Sequence, residues 1–132
     1  PLYGSELTAD RNAAESGLER AIADKPFIGS AIVRDPSLLN QRLVVLELEG
    51  RRAARAHDKI ADPGGELLGE VTSGGFAPSL GRSIAMGYIR IASSQPGSRL
   101  VIRTARSELN AIVGEAPLYR GATHRMPLKR FL

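Results

Sequence analysis

The first clear hydrophobic pattern lies at residues 42–48, Arg-Leu-Val-Val-Leu-Glu-Leu. This β-branched, apolar run closes at Gly50, and the spacing predicts a buried strand. Further strands are predicted over 67–72, 83–91, 99–104 and 108–113. In Arg99-Leu100-Val101-Ile102-Arg103 the alternation puts Leu100 and Ile102 on one face, which is expected in the core, and the arginines with Val101 on the other. The intervals Asp62-Pro63-Gly64-Gly65, Ser73-Gly74-Gly75, Ser94-Gln95-Pro96-Gly97 and 104–107 carry turn chemistry. Five or more closely spaced strands predict an antiparallel barrel or sandwich.

The first forty residues follow a different pattern. Residues 10–23 hold good helix formers behind a capping Asp10 or Asn12, so a helix is expected there. Gly17 weakens it, and Leu18 and Ile22 alone make too thin an apolar stripe for it to stand free. Asp24-Lys25-Pro26 ends the segment, and Asp35-Pro36-Ser37 opens a second short turn or helix. The organisation expected is a helical connector over residues 1–40, a remnant of a preceding domain, and a β-domain over residues 41–132.

Composition narrows the classes. With 132 residues, 42% hydrophobic and 24% charged, the chain has enough for one domain with a genuine core. It has no cysteine, which removes disulfides, thiolate zinc sites and a cysteine nucleophile and suits a reducing cytoplasm. No apolar run approaches a bilayer span, so no membrane partner is expected. Pro1 stands where an initiator Met would be, which reads as a piece of a longer protein. The charge of +4 comes mainly from arginine, since Lys25, Lys59 and Lys129 are the only lysines. These arginines are scattered among acidic residues without an aromatic platform, so nucleic acid is not the expected partner.

No catalytic constellation stands out. Ser73 in Thr72-Ser73-Gly74-Gly75 is the best candidate nucleophile, but Val71 occupies the position where a nucleophile elbow needs glycine. The same stretch could cradle a phosphate, although a tight turn explains it more simply. His57 and His124, the only histidines, lack companions at ligand spacing, so no metal is expected. Glu47 and Glu49 share a strand face and form either an acid–base pair or, more ordinarily, a solvated face paired with Arg42. Arg51, Arg52 and Arg55 make an anion-friendly loop, or simply a charged surface.

Residues 69–89, Gly-Glu-Val-Thr-Ser-Gly-Gly-Phe-Ala-Pro-Ser-Leu-Gly-Arg-Ser-Ile-Ala-Met-Gly-Tyr-Ile, closely resemble the signature of the C-terminal domain of the glycine cleavage T-protein family. The flanks agree in order and spacing: Pro1-Leu2-Tyr3-Gly4 with Glu6-Leu7, Ser16-Gly17-Leu18, Phe27-Ile28-Gly29, residues 46–50, Arg55-Ala56-His57, and Pro117-Leu118-Tyr119-Arg120-Gly121. The chain departs from the family at residues 10–14, where the common Thr-Pro-Leu is missing, and at Ser16, which replaces an alanine.

The resemblance implies a mainly β fold, an antiparallel Greek-key-like barrel of about six strands behind the connector. It also implies the C-terminal part of an aminomethyltransferase that takes an aminomethyl group from the lipoyl arm of H-protein, passes the one-carbon unit to tetrahydrofolate and releases ammonia. In such proteins the key aspartate and most folate contacts lie in upstream domains, so this chain alone is expected to be inactive and to carry no catalytic residue. Arg125, in a tail that folds back towards folate in the family, is the residue carried over as a folate contact, with Arg55 second. Two alternatives stay open: a free-standing barrel that binds folate or a partner without catalysis, and the barrel of a related folate-dependent demethylase.

Overall fold

The computed structural model describes residues 1–121. Six strands, β1 (Gln41–Leu48), β2 (Lys59–Ala61), β3 (Leu67–Ala77), β4 (Arg82–Arg90), β5 (Arg99–Arg103) and β6 (Glu108–Gly114), close a barrel in the order β1-β4-β3-β2-β5-β6. Every neighbouring pair is antiparallel. Strands β2, β3 and β4 are consecutive neighbours and β1 lies beside β4, which is the Greek-key arrangement. The expected fold class is the one observed.

Alternation builds the core. Val44, Leu46 and Leu48 of β1 point inward and meet Ile60, Leu68, Val71, Ala85, Ile89, Leu100, Ile102, Leu109, Ala111 and Val113. Leu100 and Ile102 are buried as the pattern requires. Each fully buried large aliphatic side chain contributes about 1.5–3 kcal/mol relative to exposure.

Within the barrel, two sequence expectations change. Ser73, Gly74 and Gly75 are not a turn but part of β3, which runs on to Ala77; the turn comes after it, around Gly81. Gly74 is there for close approach: a Cβ at this position would lie 2.5 Å from the carbonyl oxygen of Ala54. Strand β2 is the other addition, since three residues with a single strong β-former give no period to read.

The connector is mostly turns, with a one-turn helix α1 (Ser30–Val33) and 3₁₀ turns at Glu19–Ala21 and Pro36–Leu38. The expected helix over 10–23 does not form. The Asn12 side chain accepts from the Ala14 amide at 3.0 Å in a local turn, and Gly17 adopts φ +72°, outside helical space. Asp35 does cap its turn, accepting from the Ser37 amide at 2.9 Å. The connector lies against the barrel, and the Leu43 amide donates to the Glu15 carbonyl at 2.7 Å.

Candidate functional site

A β-bulge organises the seam between connector and barrel. Strand β3 pairs with β4 in register through Val71↔Gly87 and resumes at Ser73↔Met86, leaving Thr72 as the extra residue. In a regular strand Thr72 and Ser73 would point to opposite faces. Across the bulge, both hydroxyls donate to one oxygen of Glu6, at 2.8 and 2.7 Å. The other carboxylate oxygen accepts from the Leu2 amide at 2.8 Å. Glu6 is only 1% exposed. Burial pushes its carboxyl up, but the bonds from Ser73, the Leu2 amide and Thr72 outweigh it and hold the group below its ordinary range.

Tyr88 of β4 completes the seam. Its buried hydroxyl donates to the Glu6 carbonyl at 2.9 Å and lies 2.6 Å from the Ser16 hydroxyl. Ser16, read in the sequence as a departure from the family the chain resembles, is therefore part of the docking contact. Arg11 stacks on the Tyr88 ring and donates to Gln41 at 2.6 Å. Two adjoining clefts, of about 400 and 430 Å³, open here and share Arg11, Glu70, Thr72 and Tyr88. At their rim His57 Nδ1 is 2.7 Å from Glu70, whose other oxygen accepts from Lys59. Lys59 first and His57 second hold the Glu70 carboxyl below its ordinary range.

Arg55 sits in the β1–β2 connection, exposed, and donates to the Gly74 carbonyl at 3.2 Å. Gly74 belongs to an apolar cleft of about 630 Å³ walled by Val45, Phe76, Pro78, Ile84, Met86 and Leu118. Arg51 lies 4.8 Å from the Phe76 ring centroid, and Arg52 donates to Ser107 at 3.0 Å, so the three arginines face different partners. Arg125 and His124 lie outside the described residues.

The remaining candidates resolve on geometry. Ser73 is bonded to a carboxylate of lowered pKa, a poor general base. Glu47 pairs with Arg82 at 2.9 Å and Glu49 accepts from Asn110 at 3.0 Å, while Arg42 pairs with Glu19 at 2.8 Å. The expected Arg42 pairing fails because residues an odd number apart on one strand point to opposite faces. Among the described residues no cluster of three metal-ligating side chains occurs. No helix among them is long and apolar enough to cross a membrane. Glu6, Arg11 and Tyr88 are members of the seam to which the sequence reading assigns no role, although Glu6 and Tyr88 fall within the motifs of the family resemblance.

Comparison with known proteins bears on this architecture. The family described as the glycine cleavage T-protein C-terminal barrel domain matches residues 41–120, which hold all six strands. The chain belongs to this family. Aminomethyltransferases from Thermotoga petrophila and Symbiobacterium thermophilum are each 36% identical to it, over 127 and 130 residues, covering 94% and 95% of this chain and 34% of each relative. The crystal structure of glycine cleavage system aminomethyltransferase T from Bartonella henselae superposes with a TM-score of 0.80 at 26% identity, over 89% of this chain and 34% of that one. This T-protein-type barrel thus spans about a third of the length of the curated relatives it matches. Coverage of 94% and 95% is too large for the barrel alone, so the alignments with these relatives extend into the connector.

Proposed function

We propose that this T-protein-type barrel serves as the C-terminal part of a folate-dependent aminomethyltransferase, a cytoplasmic protein in which residues 1–40 continue from a preceding domain. That protein takes the aminomethyl group from the lipoyl arm of H-protein, forms methylene-tetrahydrofolate and releases ammonia and the reduced lipoyl thiols. The observation that carries this reading is the family match over residues 41–120, together with relatives named aminomethyltransferases that align along 94% of the chain.

The barrel closes one side of the folate site and supplies walls and an anion contact. The residues fit that role. The Arg55 guanidinium, exposed and anchored on the Gly74 carbonyl beside an apolar cleft, suits the bidentate geometry of a glutamate carboxylate. Arg125, the residue that the family resemblance carries over first, is the other such contact in this proposal. Neither acts as acid, base or nucleophile, so the chain alone transfers nothing.

The test is a chimaera in which this chain replaces the matching third of the Thermotoga petrophila aminomethyltransferase. Folate-dependent transfer in the chimaera, and none with the chain alone, is the expected result. A folded but inactive chimaera, or transfer by the chain alone, overturns the reading.

A further inference from the structure

Glu6 is a buried charge that the proposed chemistry does not use. Its two carboxylate oxygens are engaged separately. One binds Thr72 and Ser73 of the barrel, and the other closes the turn of its own segment through the Leu2 amide. That turn is held further by the Gly4 amide on the Leu7 carbonyl at 2.9 Å and the Leu7 amide on the Leu2 carbonyl at 3.1 Å. The bulge at Thr72 exists in the right place to deliver two adjacent hydroxyls to one acceptor.

The rest of the segment is weakly tied. Among residues 1–18 only Ala14 is a buried hydrophobic side chain, and the remaining links to the barrel are polar: Tyr88 with Glu6 and Ser16, Arg11 with Tyr88 and Gln41, and the Leu43 amide with Glu15. A segment with so little apolar burial has low local stability compared with a barrel holding the whole core.

We propose that residues 1–18 form a strap of the barrel that opens on its own, with the Glu6 carboxylate as its clasp, shut when ionised and released when protonated. The groups around Glu6 are Asp10 and Arg11 and the Pro1 amine on the strap, His57 in the β1–β2 connection, Glu70 on β3 and Tyr88 on β4. Because the folded carboxyl is held below its ordinary range, the clasp is fully closed above that range. It is lost as pH falls through the depressed value.

Amide exchange and amide chemical shifts on the full chain test this, with a chain extended before Pro1 as a control for the terminal charge. In Glu6→Gln, protection at Gly4 and Leu7 is expected to fall at least about tenfold while the β1 and β4 amides keep theirs. The double variant Thr72→Val with Ser73→Ala should do the same from the barrel side. In the unmodified chain, the Gly4–Leu7 shifts should titrate on acidification before the barrel signals change. Unchanged strap protection in both variants, or strap and barrel opening together in every case, overturns the proposal.

Discussion

The Arg11 guanidinium lies 3.9 Å above the centroid of the Tyr88 ring. One residue belongs to the connector and the other to the middle of the barrel wall, so this stack joins parts of the chain far apart in sequence. Its geometry follows from Gln41, which holds the guanidinium edge at 2.6 Å, and from Tyr88, whose hydroxyl is fixed at the other end by the Glu6 carbonyl.

Arg11→Ala is expected to destabilise the chain by about 1–2 kcal/mol, combining the loss of a partly desolvated cation–π contact and one charged hydrogen bond. Arg11→Lys should recover only part, because an ammonium cannot lie flat on the ring while reaching Gln41. Urea unfolding of the two variants against the parent chain measures both.

Gly74 and Gly75 are neighbours in β3 with opposite tolerance. A methyl at Gly74 meets the Ala54 carbonyl at 2.5 Å, while at Gly75, among the described residues and apart from its chain neighbours, no atom lies within 4 Å of it. Gly74→Ala should cost about 1–3 kcal/mol, and Gly75→Ala should be neutral to slightly stabilising. Thermal unfolding of the pair decides, and equal effects would contradict the close approach at Ala54.

Ser83 is fully buried, and among the described residues its hydroxyl has no partner. Ser83→Ala is therefore expected to stabilise the barrel by about 0.5–1 kcal/mol, since it removes an unsatisfied group and leaves only a small void. A lower urea midpoint for the variant would point to a partner for this hydroxyl.

Glu70 is shared between Lys59 and His57 at the barrel surface. Its lowered pKa means that this pairing adds stability above the ordinary glutamate range and loses it as pH falls through the depressed value. Carboxyl NMR titration should show the Glu70 pKa rising in both Lys59→Met and His57→Ala, and rising more in the lysine variant.

The barrel is readable because its strands follow a two-residue period with turn residues between them. Leu100 and Ile102 are where the alternation puts them. The glycine-rich stretch at 73–75 misleads because glycine marks both turns and close approaches, and only the Ala54 carbonyl distinguishes the two. The 10–23 segment misleads because helix propensity is overruled by local side-chain bonds at Asn12 and by Gly17. The contacts of the Glu6 seam are not readable, although Glu6 and residues 72, 73 and 88 all fall in motifs of the family resemblance, since the partners lie far apart in the chain and no local pattern shows that this glutamate will be buried.

The closure of β1 onto β4 and β6 also sets a timetable. On the ribosome β1 emerges first, yet its partners are the fourth and sixth strands, so its two edges cannot both be satisfied until Gly114 has been made. Through that interval Leu43-Val44-Val45-Leu46 is an incompletely paired, aggregation-prone template in the nascent chain. Synthesis halted before β6 would leave that template open, so truncations within residues 108–114 should give insoluble product rather than a smaller barrel.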